Sequence, residues 1–201
     1  MLVKIGKNKK KFRKFLYEHE IAQVLELCQQ TRYPLRNETL LLITYNHAYR
    51  AAEVCNLQWN HLDFNNNTIT IERQKGGVDS IHPMGMKEKY LLLKMREERE
   101  ENCPYVFTSF LYGWKLYQAG TQFEPQNLYR LCLKLGNMAN FDFPFTPHML
   151  RHSKGTYLAE KDINIFKIKN YLGHRRISST EYYVHLAANQ FQGINEGSMF
   201  M

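Results

Sequence analysis

The 201-residue sequence predicts an α+β domain, mainly helical, with one small antiparallel β-sheet. Three observations carry that expectation. The run Leu40-Leu41-Leu42-Ile43-Thr44-Tyr45 is apolar on nearly every side, as in a helix buried in the middle of a domain. Thr68-Ile69-Thr70-Ile71-Glu72 alternates with β-branched residues and is followed by Gly76-Gly77, so a strand, a turn and a returning strand are expected up to Pro83. Thr146-Pro147 then reads as the N-cap and first residue of another helix.

The length suits one well-cored domain and would cramp a second. A formal net charge of +8 and a pI near 9.3 favour an acidic polymer as partner. Cys28, Cys55, Cys103 and Cys132 are scattered and lack CxxC spacing, which excludes a zinc ribbon and a disulfide framework and fits a reducing compartment. No apolar run is long enough to cross a membrane, and the basic start leads into Tyr17-Glu18-His19-Glu20 rather than an apolar leader core. A cytoplasmic protein with no membrane partner is expected.

In chain order, Lys4, Lys7, Lys9, Lys10, Lys11, Arg13 and Lys14 make a basic arm suited to phosphate contact, or equally to a solvated tail. Ile21, Val24, Leu25 and Cys28 have helical spacing, so residues 1–32 form an arm and a helix, and residues 33–201 form the main domain with a C-terminal tail. The helix through Leu40 to Tyr45 comes next, and Arg50 follows it. Asn65-Asn66-Asn67 is a strong turn signal before the hairpin that carries Lys75.

Met86 to Asn102 reads as an amphipathic helix with a charged outer face. Tyr105 to Thr108 reads as a further short strand, Gly113 to Gly120 as a loop, and Pro125 to Ala139 as a helix with Leu128, Leu131, Cys132 and Leu135 on one face. Asp162 to Leu172 is expected to be a short helix stopped by Gly173 in the left-handed conformation.

The chemistry concentrates between Thr146 and Tyr183. His148 and Arg151 lie three apart in the opening turns of one helix, on the face where a helix start attracts anions. His174, Arg175 and Arg176 form a second cationic turn after Leu172-Gly173, and Tyr183 comes nine residues after His174. Histidine, arginine and a phenol together suggest phosphoryl transfer.

At these residues the chain resembles the tyrosine recombinase (phage integrase) family, with His-x-x-Arg, then Leu-Gly-His, then a tyrosine nucleophile nine residues on. Arg50, Glu53, Leu57, Trp59, Leu62 and Asp63 resemble the family's first arginine motif, with Ala48 where a glycine is usual. The resemblance covers Tyr33 to Phe191, and the length and the wording His-Met-Leu-Arg-His are similar to the short fimbrial phase-switch branch. It implies a tyrosine-recombinase catalytic domain with Arg50, Lys75, His148, Arg151, His174 and Tyr183 as catalytic residues. Glu53 would hold Arg50 in place.

In that setting two bidentate arginines would clamp a phosphodiester whose oxygens must be neutralised before attack. Tyr183, with an ordinary pKa near ~10, would be activated by the cationic pocket and a base such as His148, and Lys75 would protonate the leaving 5′-oxygen. The resemblance implies a 3′-phosphotyrosyl intermediate with no metal, nucleotide or other cofactor. The implied partner is double-stranded DNA with inverted repeats, bound as a homotetramer at synapsis with accessory DNA-bending proteins, in the nucleoid. Lys9, Lys10, Lys11, Lys14, Arg175 and Arg176 are the expected DNA-phosphate contacts.

Three other readings compete. A zinc enzyme using His148 and His152 lacks the glutamate of His-Glu-x-x-His, because Met149 stands there, and has no evident third ligand. A DNA-binding regulator that no longer cleaves would not need all six catalytic residues. A helical interaction protein explains each residue singly but not the six together.

Overall fold

A computed structural model describes residues 13–74, 76–98, 103–109 and 121–188. Eight α-helices are found among them: α1 (Glu18–Leu27), α2 (Pro34–Asn46), α3 (Ala51–Cys55), α4 (Met86–Glu97), α5 (Pro125–Met138), α6 (Pro147–Glu160), α7 (Ile165–Leu172) and α8 (Ser178–Ala188). Strands β1 (Leu62–Asp63), β2 (Thr68–Ile71) and β3 (Ser80–Pro83) form an antiparallel sheet in that order, and β4 (Thr108–Ser109) pairs with β5 (Thr121–Gln122). The α+β, mainly helical architecture is the one the sequence predicts.

Helix α2 is the axis of the fold. Pro34 pre-sets its first turn, and Leu40, Leu41, Leu42, Ile43 and Thr44 are all buried, so the helix is enclosed by neighbours rather than laid on a surface. Around it Val24 and Cys28, Ile69 and Ile71 of β2, Leu92 of α4, Leu128 and Leu135 of α5 and Leu150 of α6 form one apolar core. The first helix therefore shares the core of the main domain. A separate small cluster joins Ala48, Ala159, Ile168, Leu172 and Tyr183, and it ties α6, α7 and α8 to the turn after α2.

Asn67 takes a left-handed φ of 52° at the turn between β1 and β2, which an asparagine tolerates better than most residues. The β2–β3 hairpin pairs Thr70 with Ile81 and Ile71 with Ser80, so the chain reverses across residues 72–79. Lys75 lies outside the described residues, as do Lys9, Lys10, Lys11, the loop expected from Gly113 to Gly120 and the end of the helix expected to reach Asn102. Within the described residues that helix, α4, runs to Glu97.

Several boundaries differ from expectation. Tyr105 makes an isolated bridge to Gln58, and the strand proper begins at Thr108. Helix α7 starts after Asn164, whose side chain accepts the amide of Phe166 at 2.9 Å, because Asp162 takes a left-handed φ of 55° that no helix continues. Gly173 ends α7 at φ 66°, as expected. Thr146 has the extended backbone of an N-cap, but its hydroxyl makes no capping bond.

The cysteines are free, as expected. Burial pushes the thiols of Cys28 and Cys55 up to about 12, so both behave as apolar packing.

Candidate active site

The turn between α2 and α3 begins the site. His47 closes α2, Ala48 takes a left-handed φ of 51° while fully buried, and Arg50 is the N-cap of α3. Glu53 accepts the Arg50 amide at 2.9 Å through one oxygen and Arg50 Nη1 at 2.5 Å through the other. The carboxylate thus caps the helix and fixes the guanidinium, as the motif implied.

Arg73, just past β2, completes this carboxylate's environment. Its Nη1 donates to Glu53 at 2.9 Å, and both side chains are fully buried. Its Nη2 donates to the carbonyls of His47 at 3.2 Å and Tyr171 at 2.8 Å, joining the α2–α3 turn to the end of α7. Burial opposes the charge on Glu53, but the Arg50 amide, the field of Arg73 and the two guanidinium bonds outweigh it and hold the carboxyl below its usual range.

Among the described residues Arg151 is the largest fully buried side chain, at 2 % exposure. Nη1 donates to the Ala48 carbonyl at 2.6 Å and Nη2 to the Leu172 carbonyl at 2.5 Å. These carbonyls lie beside Arg50 and beside His174, so one guanidinium joins all three motifs. Burial, with Arg50 and Arg73 close by, brings Arg151 down to about 10, and it stays protonated at neutral pH. These two bonds engage two of its five N–H groups.

His148 is exposed at the start of α6, and burial with the fields of Arg151 and Arg50 lowers its pKa. His174 follows the left-handed Gly173, and its Nδ1 lies 2.9 Å from Thr180 Oγ1 on α8. Burial, then Arg151 and Arg50, push its imidazole down to about 4. Tyr183 is 2 % exposed on α8, with its ring stacked 6.4 Å from that of His174. Burial raises its pKa, while Arg151 and Arg50 pull it back. Arg50, His148, Arg151, His174 and Tyr183 therefore share one electrostatic site.

The imidazole that meets the Tyr183 hydroxyl is that of His152, with Nδ1 3.0 Å away. His148 reaches the phenol through this second histidine, its ring lying edge-on 4.8 Å from it. Arg175 and Arg176 are exposed, and Arg175 lies against Gly76 at the hairpin, next to Lys75 in sequence. Lys14 sits 5.8 Å from the ring of Tyr182, so the end of the arm rests near α8. Among the described residues no cluster of three His, Cys, Asp or Glu could hold a metal ion.

Residues 14–190 match the Phage integrase family. This chain belongs to the phage integrase family. By that membership it is a site-specific recombinase of the tyrosine class. It is 33% identical to the type 1 fimbriae regulatory protein FimB of Escherichia coli K12 over 93% of this chain and 90% of that protein. It is 29% identical to the type 1 fimbriae regulatory protein FimE over 92% and 91%.

Tyrosine recombinase XerA of Pyrococcus horikoshii is 26% identical over 89% of this chain and 59% of its own length. Among solved structures, the XerA recombinase superposes with a TM-score of 0.70 at 25% identity, covering 90% of this chain and 65% of that one. XerH, solved bound to palindromic difH substrate in a post-cleavage complex, has the same fold, with a TM-score of 0.74 at 21% identity over 92% and 52%. The chain thus spans about two thirds and about half of those two structures.

Arg73 and His152 escape a reading by motif. Arg73 stands at a strand end where an arginine is ordinarily exposed. His152 follows Arg151 directly, and only its spacing of four from His148 hinted that it shares that face.

Proposed function

We propose that this chain cleaves and rejoins double-stranded DNA through a 3′-phosphotyrosyl link to Tyr183, and that it inverts a segment bounded by inverted repeats. The observation that carries the reading is the Arg151 guanidinium, bonded at once to Ala48 beside Arg50 and to Leu172 beside His174. A buried arginine held by two carbonyls is preorganised for an anion and needs no rearrangement when charge develops.

On this reading Arg50 and Arg151 grip the non-bridging oxygens of the scissile phosphate. His174 engages Thr180 through Nδ1, so Nε2 is the nitrogen offered to the phosphate. As the Tyr183 oxygen attacks phosphorus its phenolic proton passes to a base such as His148, the bond to the 5′-oxygen breaks, and Lys75 gives that oxygen its proton. The phosphotyrosyl bond keeps the energy of the phosphodiester, so rejoining to another strand draws on no nucleotide.

The fimbrial regulators, matched over nearly their whole length, support inversion of a segment that controls a fimbrial gene. The pairing of two sites calls for a homotetramer at synapsis, helped by DNA-bending proteins, in the cytoplasm at the nucleoid. Lys9, Lys10, Lys11, Lys14, Arg175 and Arg176 add backbone contacts that position the protein without reading bases.

The test takes the DNA flanking this gene, places its paired inverted repeats around a marker on a plasmid, and reads marker orientation after expression. Inversion with the wild type and none with Tyr183→Phe is expected. DNA binding by the wild type without any strand cleavage would replace this reading with that of a non-cleaving regulator.

A further inference from the structure

The seat of Tyr183 is built by two residues on one face of α6. His152 Nδ1 lies 3.0 Å from the phenol oxygen, a hydrogen-bonding distance. Three residues further on, Gly155 lies beneath the ring: a Cβ there would come within 2.6 Å of Tyr183 Cε1 and 2.8 Å of Cδ1 and Cζ, far inside van der Waals contact. Any side chain at Gly155 would lift the ring out of its place. The neighbouring Tyr182 has no such seat and is 38% exposed, against 2% for Tyr183.

We propose that His152 is the positioning partner of the nucleophile, its Nδ1 accepting the hydrogen bond of the Tyr183 hydroxyl while Gly155 leaves room for the ring. This inference rests on Tyr183 being the nucleophile. A phenol has one O–H and its lone pairs; with the hydrogen engaged by His152, only lone pairs remain to face phosphorus. Acceptance at Nδ1 puts the ring proton on Nε2, a tautomer assigned from the phenol's role as donor.

The surroundings keep this imidazole neutral. Burial first, then His148, Arg151 and Lys14, push it down to about 4, while burial raises the phenol. Proton transfer between them is therefore strongly uphill at rest, and the contact is a hydrogen bond that orients rather than a base that ionises. The same pair decides which of two adjacent tyrosines reacts.

The test measures covalent capture of a nicked duplex carrying the sequence this protein itself recovers from a random-duplex selection, with DNA affinity and thermal melting read alongside. His152→Leu removes the acceptor and is expected to slow capture by about 100-fold, the scale of a 1 Å misplacement, with DNA affinity retained. His152→Asn keeps an acceptor at the position of Nδ1 but cannot serve as a base, and is expected to recover most of that loss. Gly155→Ala is expected to slow capture as His152→Leu does.

Capture by His152→Leu at the wild-type rate would overturn the proposal, and so would an Asn variant as slow as the Leu variant, which would mark His152 as a base. If His152→Leu does not fold, Gly155→Ala decides: slowed capture at unchanged affinity supports the seat, and the wild-type rate overturns it. Failure of the wild type itself to form a covalent complex would instead remove the assignment of Tyr183 as nucleophile, and this inference with it.

Discussion

The carbonyl oxygen of Ala48 accepts Nη1 of the buried Arg151 at 2.6 Å. That carbonyl is aimed by a backbone φ of 51°, a left-handed conformation that suits the glycine usual at this place in the motif. Three terms decide what a glycine would do here. Left-handed strain in alanine costs ~1–2 kcal/mol. Against it stand ~0.8 kcal/mol for the buried methyl and ~0.4–1 kcal/mol of glycine chain entropy. The sums nearly cancel, so Ala48→Gly is expected to change stability by less than ~1 kcal/mol. Ala48→Val, β-branched and tightly enclosed, is expected to lose at least ~2 kcal/mol and most cleavage activity, as measured by denaturant titration and strand cleavage.

Arg73 is expected to be a stability determinant of the site. Arg73→Met leaves one oxygen of the buried Glu53 without its charge partner and three elements without their shared donor, for a loss of ~3–5 kcal/mol. Arg73→Lys should not restore it, since one ammonium cannot reproduce the guanidinium fork. A loss below ~1 kcal/mol in denaturant titration would contradict the network described.

The two arginines proposed to grip the phosphate should separate in their effects. Arg50 is half-buried and bonded mainly to Glu53, so Arg50→Ala is expected to slow cleavage by at least ~100-fold with a modest change in melting temperature. Arg151→Ala should slow cleavage at least as much and also lower the melting temperature clearly, because it takes the donor from the Leu172 carbonyl and leaves the Ala48 carbonyl only the longer 3.3 Å bond from Arg73. Single-turnover cleavage and thermal melting of both variants check this.

Acid should destabilise the fold earlier than its carboxylates alone would. His82 is pushed down to about 3, and His152 and His174 to about 4, from an ordinary 6.5, in each case chiefly by burial. Below 6.5 the unfolded chain takes up protons that the native chain refuses, so the contribution is complete above 6.5 and is lost as pH falls toward 4. Glu53 and Glu88, both held below the usual carboxylate range, add a loss of the same sign at still lower pH. The melting temperature is expected to be flat from about pH 8 to 7 and to fall steadily from about 6.5 to 4. A flat or rising profile across that acid range would contradict the buried, neutral histidines.

What the sequence made legible was local. Helix α2 announced itself by an all-round apolar run, Gly173 by its place after a periodic segment, and the candidate site by residues whose spacing along the chain is itself the signal. What stayed hidden depends on where segments meet. Arg73 gains its role only when β2 ends beside Glu53 and the C-terminus of α7 arrives with the Tyr171 carbonyl. His152 becomes the phenol's partner only once α8 packs on α6, and Gly155, unremarkable in a helix, matters because an aromatic ring lies on it. The contact expected between His148 and the phenol followed from motif order, whereas the geometry sets the next histidine on that face, His152, against the Tyr183 hydroxyl as the partner that orients it.

The most direct test of the account is to find which residue holds the DNA. Wild-type protein is incubated with a nicked duplex of its selected binding sequence, denatured, digested with protease and nuclease, and its peptides are weighed by mass spectrometry. The account predicts a 3′-nucleotide phosphate on Tyr183, absent from Tyr183→Phe and retained in Tyr182→Phe. An adduct on Tyr182, or stoichiometric DNA binding with no covalent adduct at all, would contradict it.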